Sequence, residues 1–268
     1  MALLVTDAVV LHAFNYSETS RILRLATREA GVQSVLARGA RRSHRRYGSA
    51  LDLFAEGSAQ IYTKSGRDLQ TLGAFDVVQS RPALAADLDR FAGASCVAEL
   101  VLRFATADAQ PALYDALVAA LDGIAGAAPE AAREAALAGV WRLVAELGFA
   151  PTVDACASCH ALVAAGDPAM FSHPAGGVLC GRCARHTPGS RNLPPAARAA
   201  LRTWLDGGHA ALDGDGDARA HQRLLREFLR EHLADGRALR AFELWEQGRW
   251  SAVAAEAREP AGAVRERP

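Results

Sequence analysis

Over the first eighty residues the apolar positions come in short alternating or β-branched runs. Val5 to Phe14, Arg21 to Thr27, Val32 to Arg38, Leu51 to Tyr62 and Asp68 to Val78 have this texture. Turn-formers such as Asn15-Tyr16-Ser17, Glu29-Ala30-Gly31 and Ser65-Gly66-Arg67 separate them, so the pattern predicts five strands. In the second strand Ile22 and Arg24 share one face while Leu23 and Leu25 share the other, because side chains alternate along a strand. Five short strands in so little chain predict a small closed barrel. The OB-fold is the five-stranded type that binds oligonucleotides, and an SH3-like barrel is the competing arrangement.

After Pro82 the apolar period lengthens to that of a helix. Leu84, Leu88, Phe91, Ala98 and Val101 form one stripe; Leu113, Leu117, Leu121 and Ile124 form a second, and Leu137, Trp141 and Val144 a third. Ala125 to Pro129 separates two of these helices, and Gly148 ends another. Residues 150–190 have no such period and read as loop. Helix returns at Pro195, which suits a first turn, and continues through Leu201, Trp204 and Leu205. A further helix carries Leu225, Phe228, Leu229 and Leu233 on one face and ends near Gly236. These stripes are packing faces rather than a cofactor box.

The expected fold is therefore α+β and multidomain. It comprises an OB-fold barrel at 1–80, a first helical part at 81–150, a cysteine-bearing segment at 151–190 and a second helical part at 191–250. The Ala/Glu/Arg/Pro composition of 251–268 predicts a disordered tail. No internal repeat is present.

Composition changes this picture in one place. The 268 residues carry 30 basic and 30 acidic side chains, a formal net charge of zero, and half are hydrophobic. Such a chain buries a sizeable core. Yet residues 21–50 hold eight arginines against one acid, Glu29, whereas 51–140 hold twelve acids against six bases. Five of those arginines, Arg38, Arg41, Arg42, Arg45 and Arg46, lie within nine positions. A local basic block on a neutral chain predicts a polyanion site.

The bland reading of this run is a solvated loop tip. Its place between the third and fourth strands favours the functional one, as do Gly39 and Gly48 at its ends. Arg21 and Arg24 on the neighbouring strand extend the basic face, with Tyr16 and Tyr47 as stacking rings or barrel-edge packing. Such a groove tracks phosphates and stacks bases.

The cysteines carry the most specific signal. Cys156-Ala-Ser-Cys159 and Cys180-Gly-Arg-Cys183, twenty residues apart, have zinc-ribbon spacing. Four thiolates would fill a tetrahedron, leaving no place for water, so one structural Zn2+ is expected. His160, His173 and His186 lie near enough in sequence to replace a thiolate, which keeps a mixed ligand set open. Cys156 to His160 also satisfies the covalent-haem pattern, but that chemistry needs export.

The N-terminal apolar run lacks a basic leader and contains Asp7, and no stretch reaches the ~18 apolar residues of a membrane span. A cytoplasmic, nucleoid-associated protein is expected, in which disulfides are disfavoured. Cys96, alone on a helical stripe, reads as a buried small hydrophobe.

Other motifs fall away. Asp213 to Asp217 mimics a calcium loop but has Ala218 where glycine belongs and Leu224 where the bidentate glutamate belongs. Phosphate-loop, dinucleotide and nucleophile-elbow motifs are missing, and no histidine has an evident acid–base partner. The sequence predicts no enzyme.

Several stretches together resemble the bacterial RecO recombination-mediator family. FNYSETSRILRLATREAG and LARGARR are similar to its N-terminal barrel. LGFAPTVDACASC with FSHPAGGVLCGRC resembles its zinc segment, and RLLREFLREHL its late helix. The resemblance runs from about Thr6 to Leu233 in family order. It implies an OB-fold, a helical domain and a zinc ribbon packed against the latter. It also implies a mediator that binds single- and double-stranded DNA, anneals complementary strands and works with RecR to load RecA onto DNA coated by single-strand-binding protein. Through the helical domain it would grip that protein's acidic C-terminal tail. Residue by residue, the resemblance places no pocket for the tail. A zinc-ribbon regulator or adaptor without annealing activity is the alternative, and a metalloenzyme would need an open metal position.

Overall fold

The computed structural model describes residues 2–41, 51–233 and 237–247. Arg38 and Arg41 fall within these limits. Arg42, Arg45, Arg46 and Tyr47 lie outside the described residues, as does the tail expected at 251–268.

Five strands close a barrel: β1 (Ala2–Asn15), β2 (Arg21–Thr27), β3 (Gly31–Ala37), β4 (Glu56–Thr63) and β5 (Leu69–Gln79). The circuit runs β1-β2-β3-β5-β4 and returns to β1, with β3 and β5 parallel and the other pairs antiparallel. That order is the OB arrangement and sets aside the SH3-like alternative. Ala8, Val10, Leu23, Leu25, Val35, Ile61, Leu72 and Phe75 fill the interior. On the opposite face of β1 and β2, Val9, Leu11 and Ala26 are buried as well, because helices cover them. Both faces of this part of the sheet are therefore apolar.

The fourth strand begins later than its apolar run suggests. Residues 51–54 form a turn whose hydrophobic side chains are nonetheless buried, Leu51 in the barrel and Phe54 against the helices. Phe54 sits at φ 67°, and its N–H donates to the Val10 carbonyl. Left-handed backbone costs a phenylalanine about 1–3 kcal/mol, which burying the ring offsets with a similar amount.

The helices are α1 (Pro82–Ala86), α2 (Leu88–Phe104), α3 (Pro111–Gly126), α4 (Ala132–Glu146), α5 (Gly181–Ala184), α6 (Pro195–Leu205), α7 (Asp215–His232) and α8 (Arg240–Gln247). The stripe beginning at Leu84 is interrupted at Asp87, whose carboxylate accepts from the Arg90 N–H at 2.9 Å and starts α2. Pro111 and Pro195 occupy first turns, where a missing N–H costs nothing. The short α8 buries Phe242 and Trp245, and Glu99 on α2 caps it by accepting from the N–H groups of Arg240 and Ala241. One helix-length pattern of eight residues is too brief to be read from sequence.

Barrel and helices meet at a polar hub. Arg81 is almost wholly buried and donates to Glu56 at 2.7 Å, to Asp122 at 2.6 Å and to the Phe54 carbonyl at 2.9 Å. Burial opposes its charge, yet the hydrogen bonds to Asp122 and Glu56 more than compensate and raise its pKa. Arg28 forms a fork with Asp115 at 2.5 and 3.0 Å. Gly31, at φ 57°, lets β3 approach the α2–α3 loop so closely that a Cβ would collide with the Thr106 and Asp108 carbonyls. No helix among the described residues is long and apolar enough to cross a membrane.

Candidate metal centre and nucleic-acid interface

Residues 150–190 are more ordered than their pattern suggests. β6 (Ala169–Ser172), β7 (Gly177–Leu179) and β8 (Arg191–Leu193) form a small sheet in the order β7-β6-β8. Strands of three or four residues leave no legible alternation. The sheet is anchored on the helices through Phe171, whose ring lies 6.1 Å from that of Phe228 on α7; Phe228 in turn meets Trp141 of α4 at 5.4 Å.

Two knuckles bring the cysteines together. In the first, the Cys156 N–H donates to the Ala161 carbonyl and the His160 N–H returns to the Cys156 carbonyl, both at 2.8 Å. His160 takes the left-handed turn position at φ 59°, and its side chain is exposed. The second knuckle runs from Cys180 into α5, where the Ala184 N–H closes on the Cys180 carbonyl. The knuckles are joined where the Ala157 N–H donates to the Val178 carbonyl at 2.8 Å. Nearby, Thr152 bridges Gly177, a contact that a Cβ on Gly177 would block.

The four Sγ atoms lie within 4.8 Å of one another, and those of Cys159 and Cys180 are 3.8 Å apart. A tetrahedron with metal–sulfur bonds of ~2.3 Å has edges of about 3.8 Å, so the donor set fits a metal ion. Among the described residues this group contains no histidine. His173 instead points Nε2 towards the Leu224 carbonyl at 3.3 Å, which argues against its replacing a thiolate.

The local backbone favours thiolate. Burial works to raise the Cys156 pKa, but N–H groups of Cys180, Cys159 and Ser158 pull it down to about 6. The Cys183 amide lowers Cys180, whereas a hydrogen bond with Cys159 pushes Cys183 up to about 11. Arg182 places its guanidinium beside Cys159. A metal bound here would displace the remaining protons and have four protein ligands, with no open position for a reacting water.

At the other end of the molecule the arginines spread outward. Arg21 begins β2 opposite Asn15 of β1 and Ala37 of β3, and Arg38 directly follows β3. The Arg41 N–H donates to the Thr19 carbonyl at 3.1 Å, and its guanidinium donates to the Ser17 carbonyl at 2.9 Å. These bonds fasten the stem of the basic run to the β1–β2 turn. Among the described residues, Arg21, Arg38 and Arg41 pair with no carboxylate.

Arg24 is set apart from them. It donates to the Leu102 carbonyl at 3.3 Å, in the last turn of α2, where a helix C-terminus favours a cation. Alternation sets Arg24 on the face of β2 away from Leu23 and Leu25, and in this region that face meets the helices. Two further groups were not singled out by sequence. The rings of His12 and Phe14 stand 5.7 Å apart at the exposed end of β1, and Tyr16 follows them at the turn. A polar–aromatic alternation at a strand end is the only sequence signal for the pair.

A groove of about 340 Å³ also opens between β8 and α7, lined by Leu193, Leu212 and Leu224 with His221. Burial holds the His221 imidazole neutral by lowering its pKa to about 4. The charges around the groove are mixed. Arg191 pairs with Glu227 at 3.2 Å, and Arg223 shares the rim with Asp213 and Asp217. It therefore lacks the single-sign field of a phosphate track.

Comparison with known proteins matches both parts of the chain to one family. Residues 1–81 match the family described as Recombination protein O N terminal, and residues 85–240 match Recombination protein O C terminal. The chain is similar to the DNA repair protein RecO of Anaeromyxobacter dehalogenans (strain 2CP-C), at 41% identity over 241 residues, 87% of this chain and 93% of the relative. It is also similar to those of Symbiobacterium thermophilum, at 34% with 77% and 81% covered, and Myxococcus xanthus, at 32% with 90% and 96% covered.

Proposed function

The chain belongs to the RecO family of DNA repair and recombination proteins, and we propose that it is a non-enzymatic mediator that binds single- and double-stranded DNA and anneals complementary strands. The observation that carries this reading is that Arg21, Arg38 and Arg41, at the turn end of an OB barrel, have no carboxylate partner among the described residues. Arg21, Arg38, Arg41, Arg42, Arg45 and Arg46 neutralise phosphates, lower the repulsion between two strands and hold them for pairing. Arg24, whose guanidinium is engaged by Leu102, contributes least.

The four cysteines hold one Zn2+, which fixes the ribbon against α4 and α7 and takes no part in chemistry. In the cytoplasm, at the nucleoid, the protein works with RecR to load RecA onto DNA covered by single-strand-binding protein, whose acidic tail docks on the helical domain. Its family and its four-thiol centre support this wider reading.

A strand-annealing assay tests the proposal. Wild-type protein accelerates pairing of complementary oligonucleotides, and replacing Arg41, Arg42, Arg45 and Arg46 by alanine abolishes most of that acceleration while the melting temperature holds. Equal annealing by the two proteins would remove the basic run from the mechanism.

A further inference from the structure

We infer that the outer surface at the end of β1, formed by His12, Phe14 and Tyr16, is a stacking platform for the bases of single-stranded nucleic acid. This inference rests on the proposed DNA-binding function and adds to its arginine contacts a recognition element for unpaired bases.

The platform is created by a defect in the strand. The β1–β2 register shifts between Val10 and His12, so Leu11 is extra. Before the bulge the outer residues Val9 and Leu11 lie under the helices. Beyond it His12, opposite Arg24, and Phe14 share the outer face and are exposed. Phe14 lies opposite Ile22 and stays 43% exposed, and Tyr16 is 61% exposed. Phe54, Phe75, Phe171, Phe228, Phe242 and all three tryptophans among the described residues are core, while Tyr62 and Phe149 are about as exposed as Phe14. What distinguishes the end of β1 is the grouping of two exposed aromatic rings and an exposed imidazole within five residues.

Charge selects the occupant. Arg41 is tied to Ser17 and Thr19, in the turn that begins at Tyr16, and Arg21 lies opposite Asn15. Glu18 is the only acid between Ala8 and Arg28. Rings bordered by cations fit a polyanion with exposed π faces, which is single-stranded nucleic acid. A duplex offers the same phosphates but keeps its bases stacked on one another.

The test measures binding of a fluorescein-labelled oligothymidylate and of a mixed-sequence duplex across a salt series. Phe14→Ala weakens oligothymidylate binding about tenfold, since base–ring stacking is worth that order of free energy. The slope against log salt stays at the wild-type value, because no phosphate contact is lost. Duplex affinity changes by less than about twofold. In a second arm, Phe14→Trp keeps a ring, retains affinity and has its emission quenched by oligothymidylate.

If His12→Ala/Phe14→Ala protein binds oligothymidylate like wild type, or Phe14→Trp emission is unmoved at saturation, the platform is overturned while DNA binding stands. Equal loss for both probes also overturns it, by pointing to displaced arginines. A wild-type protein that binds neither probe overturns the DNA-binding reading and the platform with it.

Discussion

In the ribbon, four like side chains from two separated knuckles converge to within 4.8 Å, and backbone amides point at them. At the barrel end, Arg21 on β2, Arg38 just after β3 and Arg41 beyond it meet no carboxylate among the described residues. The first arrangement fits a small metal ion inside it. The second suits a large polyanion that lies across it, because separated cations neutralise successive phosphates. Converging thiols thus fit a structural metal site, whereas surface arginines without carboxylate partners among the described residues fit the proposed DNA contact. The arginines make the same distinction: Arg81, Arg24 and Arg28 are engaged at the domain junction, whereas Arg21, Arg38 and Arg41 pair with no carboxylate among the described residues.

The largest expected effect lies at the thiol cluster. Cys156→Ser, or removal of metal with a chelator, unfolds the helical domain. A structural zinc contributes on the order of 10 kcal/mol, comparable to the entire stability of a typical domain. Calorimetry with metal analysis checks this. One zinc per wild-type chain and a collapsed transition in the variant are expected. An unchanged transition would mean that the ribbon stands without its ion.

Arg81→Met comes next. It leaves Glu56 facing only the Tyr114 hydroxyl across the junction, a loss of about 3 kcal/mol for a broken buried pair. Urea denaturation reads this loss, while the salt slope of DNA binding stays fixed. A shifted slope would show that Arg81 belongs with the surface arginines after all. Smallest is Arg24→Met. Losing a phosphate contact lowers the single-strand slope by about 0.7, and that change is expected to be absent here. Its presence would return Arg24 to the binding face.

Legibility followed the range of the interactions. The cysteine spacing was informative because two thiolates three residues apart already define half a tetrahedron. The barrel strands were legible where one face is buried in the barrel. They were misjudged at Leu51 to Phe54, where apolar residues are buried in a turn. Arg24 illustrates the deeper limit. Alternation assigns a residue to a face, but only the packing of α2 decides whether that face meets water or a helix. The Arg81 hub joins Phe54, Glu56 and Asp122, residues so far apart in sequence that no local pattern links them. His12 and Phe14 reach the open surface through a bulge, which a period-two pattern does not encode.

The salt dependence of oligonucleotide affinity, compared between wild type and the protein with Arg41, Arg42, Arg45 and Arg46 replaced by alanine, tests the central claim most directly. Four phosphate contacts at ~0.7 each predict a slope shallower by about 3, with the melting temperature unchanged. An identical slope in the two proteins would contradict the assignment of the basic run to DNA.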